Sequence, residues 1–87
     1  MPKLDEVLKN LGRRIAELRT AAGMTQEQLA ERAQITPQYL QRVESGRENL
    51  TVKSLLNFAE LLDVTAVDLF ARAATRESRS GRPRKQP

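Results

Sequence analysis

The stretch T-Q-E-Q-L-A-E-R-A-Q-I-T-P-Q-Y-L-Q-R-V-E-S-G, residues 25 to 46, decides how this chain folds. Thr25 followed by Gln28 has the form of a capping box. The hydroxyl accepts from a backbone N–H that no helical carbonyl reaches, and the amide side chain reaches back to the cap's own N–H. A helix therefore starts at Thr25 and turns Leu29, Ala30 and Ala33 inward. Gln34 and Ile35 interrupt it. Thr36-Pro37 opens the next helix, because Thr caps and Pro at the first helical position gives up an N–H that would lack a partner anyway. That helix carries Tyr39, Leu40 and Val43 and stops at Ser45-Gly46. Two short capped helices joined by so tight a break hold the second at a fixed angle to the first. In some proteins this arrangement carries a helix N-terminus into a DNA major groove; in many others it is only a packing unit.

Upstream, Leu4, Leu8, Leu11, Ile15, Leu18 and Ala22 recur at spacings of four and three, one face of an amphipathic helix, and Gly23 supplies its stop. Downstream, Arg47 to Leu50 reads as a polar loop. Thr51 caps a fourth helix with Val52, Leu55, Leu56, Ala59 and Leu62 on its inner face, and Thr65 with Asp68 repeats the capping pattern for a short fifth helix through Val67, Leu69 and Phe70. From Thr75 onward the chain has no apolar residue able to dock on a core and is expected to be disordered when free. The predicted fold is all-α: a compact five-helix domain over residues 1 to 74, and a basic C-terminal tail over residues 75 to 87.

Composition supports this and excludes much else. Hydrophobic residues make up 39% of the chain but aromatics only 3%, so the core must be aliphatic, which suits packed helices better than strands. There is no Cys and no His, which removes disulfides, the usual transition-metal ligands, the usual general base and the Cys and Ser-His nucleophiles. The expectation is a protein without a cofactor or bound metal, and not an enzyme. No apolar run approaches the roughly 18 residues of a membrane span, and the first residues lack a signal-peptide core, so a cytoplasmic location is expected.

The net charge of +4 suggests a nucleic-acid partner, but its position matters more. Residues 1 to 70 hold nine basic and ten acidic residues, whereas residues 71 to 87 hold six basic and one acidic. The basic character belongs to the tail and says nothing about the folded part. Better evidence lies on the third helix, where Gln38, Gln41 and Arg42 fall on the side away from Leu40 and Val43. A Gln amide can pair with adenine and Arg can bond guanine through two N–H groups, so these types suit reading of base edges. They are also good helix formers that can simply fill a solvated face.

The segment from Leu11 to Phe70 resembles the phage repressor and Cro class of regulators, the XRE-like helix-turn-helix family. It carries L-G-R-R-I-A-E-L-R-T-A-A-G-M before the motif and E-N-L-T-V-K-S-L after it. Around Tyr39, Arg47 and Asn49-Leu50-Thr51 it is also similar to the restriction-modification controller proteins. The resemblance implies that Gln26 bonds a DNA phosphate and supports the next helix, that Thr36, Pro37, Gln38 and Arg42 face the groove with Gln41 nearby, and that Arg47 and Asn49 grip the DNA backbone. Pro37 departs from the Gln or Ser often found there and leaves only apolar contact, such as with a thymine methyl. Arg19 and Glu44 match a partly buried ion pair between helix one and the end of helix three; taken alone, each reads as a surface charge.

The function so implied is a sequence-specific transcriptional regulator of the repressor type, binding double-stranded DNA at a palindromic operator as a homodimer. Leu61, Val64, Val67, Leu69 and Phe70 exceed what one small core needs and are expected to supply the contact between copies, the alternative being that all pack within one chain. The tail residues Arg82, Arg84 and Lys85 follow Ser80-Gly81 in a stretch that looks like the core of an AT-hook, with Ser80 in place of the usual Arg; a general phosphate-attracting tail is the preferred reading. A different class of function is an antitoxin-type interaction module that neutralises a toxin or other protein partner and autoregulates its operon.

Overall fold

The four Thr residues that begin helices in the sequence do so in the structure, a computed structural model that describes residues 3–74. Thr25, Thr36, Thr51 and Thr65 each accept the N–H three residues on, at 3.0, 3.0, 3.0 and 3.2 Å. Gln28 and Asp68 return the bond to the cap N–H at 2.8 and 3.0 Å, completing two capping boxes. The helices are α1 (Leu4–Ala21), α2 (Gln26–Ala33), α3 (Pro37–Glu44), α4 (Val52–Leu61) and α5 (Ala66–Leu69). Among the described residues there is no strand. The tail residues Arg82, Arg84 and Lys85 lie outside the described residues.

The turn between α2 and α3 depends on Gln34, which takes a left-handed backbone at φ 61°. Such a conformation costs a non-glycine residue roughly 1–2 kcal/mol. It is held by two closing hydrogen bonds, Gln34 N–H to the Glu31 carbonyl at 3.1 Å and Ile35 N–H to the Ala30 carbonyl at 3.0 Å. At the end of α3 the same pair of bonds closes around Gly46 (φ 82°), with Arg47 N–H donating to the Arg42 carbonyl at 2.8 Å.

The core is aliphatic, as the composition requires, with a single aromatic. Leu11 and Ile15 of α1, Leu29 and Ala30 of α2, Leu40 and Val43 of α3, Phe58, Ala59 and Leu62 around α4, and Leu69 of α5 are buried together with Met24. Helix α3 packs on both α1 and α2, and α5 lies against α4 and α1. Two side chains of α1 tie down the chain after α4: Arg14 Nε donates to the Asp68 carbonyl at 2.9 Å, and Asn10 both donates to the Ala71 carbonyl and accepts from Ala73 N–H, at 3.0 and 2.8 Å.

The apolar pattern needs correcting in three places. On the α1 stripe both ends are exposed, Leu4 at 60% and Ala22 after the last turn. On α4 the inner stripe is Leu55, Phe58, Ala59 and Leu62, at spacings of three, one and three; Val52 and Leu56, expected inward, are exposed, and Phe58 takes the core place. Leu69, expected at a contact between copies, is completely buried within the chain and is the only residue of α5 so buried.

Gly12 lets α1 approach the end of α3. A Cβ there would stand 2.6 Å from the Glu44 carbonyl oxygen and nearer still to that of Val43, both of them backbone atoms that cannot swing aside. Replacing Gly by Ala inside a helix usually gains about 1 kcal/mol, but the forced separation costs more. Gly12→Ala is therefore expected to destabilise by about 2 kcal/mol net, read by chemical denaturation.

Hydrogen bonds from the Thr65 backbone and side chain hold the Asp68 carboxyl below its ordinary 3.8, against an opposing effect of burial and with a smaller contribution from the Arg14 charge. A depressed carboxylate stabilises the fold above the unfolded-state value and loses that contribution as pH falls through the folded value. The melting temperature of Asp68→Asn should therefore lie below wild type at neutral pH, and the gap should close as pH drops below about 4.

Candidate nucleic-acid interface

Helix α3 carries the candidate surface, and its buried side sets the direction of the other. Leu40 and Val43 are 0% and 2% exposed, so the helix is seated on the core along one line. Gln38, Gln41 and Arg42 all point into solvent on the opposite side. Pro37, at the first position of α3, is half-buried, and Tyr39 packs against the core. Thr36 is exposed, but its hydroxyl oxygen is occupied by the Tyr39 N–H. Its O–H and one further acceptor position remain, so capping limits but does not exhaust what this side chain can offer a base.

The far end of α3 is fixed by Glu44. Arg19 reaches it from α1 with two bonds, Nε to Oε2 at 2.7 Å and Nη2 to Oε1 at 3.2 Å, and also donates Nη1 to the Met24 carbonyl at 2.9 Å. The two side chains are only 15% and 8% exposed. Gln26, the first residue of α2, donates Nε2 to Glu44 Oε1 at 2.8 Å. A carboxylate only accepts, so the amide nitrogen must be the atom facing it. The second N–H of that nitrogen stays available to an outside acceptor.

This network joins three helices through one carboxylate, and it places Gln26 beside the end of α3 where the loop of Arg47 and Asn49 begins. Both loop residues are exposed. The structure thus brings Gln26, Gln38, Gln41, Arg42, Arg47 and Asn49 to α3 and its two flanks. The chemistry on offer is donation: amides and guanidinium groups facing outward, suited to phosphate oxygens and base-edge acceptors. Among the described residues no group of acidic side chains is placed to hold a metal ion, and no helix is long and apolar enough to cross a membrane.

One neighbour escaped the sequence reading. Glu48, in the loop after α3, forms an ion pair with the guanidinium of Arg42; Arg42 is 60% exposed and Glu48 18%. The two residues are six apart across a helix end, a separation with no periodic signature.

The candidate contact between copies divides. Val67 and Phe70 are 78% and 51% exposed, Leu61 and Val64 are half-buried against the core, and Leu69 is inaccessible.

A short capped pair of helices, with the polar face of the second turned outward, defines a helix-turn-helix domain. The chain belongs to the XRE-type helix-turn-helix family of transcriptional regulators, whose match spans residues 15–69. It is 39% identical over 64 residues to y4dJ, an uncharacterized HTH-type transcriptional regulator of Sinorhizobium fredii, covering 74% of this chain and 83% of that one. The crystal structure of the restriction-modification controller protein C.AhdI from Aeromonas hydrophila superposes with a TM-score of 0.69 at 38% identity, over 72% of this chain and 96% of that chain. The controller protein C.Esp1396I, solved as a tetramer in complex with its natural 35 base-pair operator, gives a TM-score of 0.65 at 34% identity, over 74% and 84% of the two chains. These relatives are regulatory proteins, and the antitoxin alternative draws no support from them.

The ion pair at the end of α3 gives a stability test. Glu44→Ala strands the Arg19 guanidinium in a site largely shielded from water and should cost about 3 kcal/mol in denaturant unfolding. Replacing both partners, as Arg19→Met with Glu44→Leu, should recover most of that loss, because no unpaired charge remains.

Proposed function

We propose that the protein is a transcriptional regulator that binds a palindromic operator as a homodimer, with α3 in the major groove. The observation that carries this reading is the seating of α3: Leu40 and Val43 buried on one side, Gln38, Gln41 and Arg42 exposed on the other, and the helix end anchored by Glu44 to both α1 and α2. Gln38 and Arg42 are the principal base readers, with Gln41, Thr36 and Pro37 at the edge of the contact. Gln26 uses its second amide N–H, together with Arg47 and Asn49, on phosphates.

One such helix reaches only a few base pairs, and two-fold pairing on a palindrome supplies the rest of the site. The operator-bound tetramer of C.Esp1396I supports assembly on DNA. Val67 and Phe70, the exposed apolar side chains of α5 and its end, together with half-buried Leu61 and Val64, are the surface proposed for the contact. The basic residues of the tail, Arg82, Arg84 and Lys85 among them, add sequence-independent attraction to phosphate.

Selection of the purified protein against random duplexes is the direct test, and it should return an inverted repeat with half-site centres about 34 Å, one helical turn, apart. Arg42→Ala should then lose about 1–3 kcal/mol of discrimination at one base pair per half-site. A uniform loss across all sequences would instead assign Arg42 to phosphate.

A further inference from the structure

We propose that Glu48 is a positioning and specificity-determining residue: it holds the Arg42 guanidinium in the direction needed for base reading and cancels its charge toward phosphates. This rests on the reading of α3 as the base-reading helix. Arg42 is the one basic side chain of α3, and it is exposed enough that nothing in the core fixes its outer atoms. An unrestrained Arg on a DNA-facing surface turns readily to the nearest phosphate, because the phosphate field is strong and independent of sequence. Glu48 opposes this in two ways.

First, the pair uses Nη2 of Arg42 and one carboxylate oxygen. A guanidinium has five N–H donors. Whichever N–H of Nη2 Glu48 engages, the remaining one lies beside an N–H of Nη1 or of Nε, and together they can address guanine O6 and N7. The carboxylate therefore leaves the reading edge free while removing rotations of the side chain. Glu48 itself is held well, being only 18% exposed, in a loop whose start is fixed by the 2.8 Å bond from Arg47 N–H to the Arg42 carbonyl. The backbone of Arg42 and the partner of its side chain are thus set by the same turn.

Second, a carboxylate beside the groove repels phosphate and offsets the attraction of Arg42. A pair whose Arg is this exposed adds little to stability, so stability does not explain it. Its consequence is a weaker hold on arbitrary DNA and a larger ratio of specific to non-specific binding.

The test is a double-mutant cycle of Glu48→Gln and Arg42→Ala, read as binding to the selected operator, to operators substituted at each position, and to a random-sequence duplex across a salt series. Gln is nearly isosteric with Glu and the site is a loop, so the variant should fold; circular dichroism checks this. Glu48→Gln is expected to tighten binding to the random duplex several-fold, to steepen the logarithmic salt slope by about one unit, and to reduce discrimination at the Arg42 base pair about three- to ten-fold. In the Arg42→Ala background it should leave discrimination at that position unchanged. Unaltered discrimination in the single variant, or an equal loss in both backgrounds, overturns the positioning role. Should the wild-type protein select no sequence at all, the base-reading assignment of α3 falls, and the role of Glu48 in specificity with it. The pair itself is read separately, from the Arg42 Nε–H resonance of free wild-type and Glu48→Gln protein.

Discussion

The carboxylate of Glu44 sits at the last residue of α3, almost shielded from water, and a charge in such a place persists only if its acceptor positions are filled. Two are filled from α1 by Arg19 and one from α2 by Gln26. The donors lie on separate helices, so the position of α3 relative to both is written into one set of bonds. Gly12 belongs to the same constraint. Its missing side chain lets α1 rest on the final carbonyls of α3, and that close approach brings Arg19, two turns further along α1, within reach of Glu44. A larger residue at position 12 and a lost charge at position 19 or 44 therefore disturb one feature from two directions.

From that anchor the exposed side of α3 inherits its orientation. Leu40 and Val43 fix the rotation of the helix about its own axis, Glu44 fixes its end, and the left-handed Gln34 with its two closing bonds fixes where it begins. An eight-residue helix has little stability of its own. Its precision comes from these three restraints, and a reading surface held on a rigid element binds without first paying to order itself. Gln26 takes part in the same anchoring, giving one amide N–H to Glu44 from the start of α2.

What could be read from the sequence was what is local. Each Thr cap lies three residues from the N–H it accepts, so four helix starts were visible as residue types at fixed offsets. The outward placement of Gln38, Gln41 and Arg42 followed from helical spacing against Leu40 and Val43. The Arg19–Glu44 pair, 25 residues apart, was reached only through resemblance, because nothing in the spacing marks two charges as partners. The face of α4 was misjudged for a related reason: Val52, Leu56 and Phe58 are all apolar, and which of them points inward depends on where α2 and α5 lie. The burial of Leu69 likewise follows from Arg14 and Asn10 drawing the C-terminal segment onto α1. Glu48 had no signal at all, since a loop carboxylate next to an Arg carries no pattern until the turn brings the two together.

The charge distribution takes on a different meaning once these pairs are placed. Residues 1 to 70 are slightly acidic overall, an awkward balance for a surface meant to meet DNA. Yet the two acidic side chains nearest the end of α3 are both spent within the protein, Glu44 on Arg19 and Glu48 on Arg42. Screened attraction and repulsion fall off over a Debye length of about 8 Å at physiological salt, so what a nearby phosphate meets is this local arrangement and not the domain total. Local neutralisation of that kind suits a surface that discriminates, because it leaves directional donors in place while removing indiscriminate attraction. Under the proposed function the long-range pull is left to residues 71 to 87, where six basic residues stand against one acidic. On the proposed reading, attraction and recognition are thus assigned to different parts of the chain, and each can change without degrading the other.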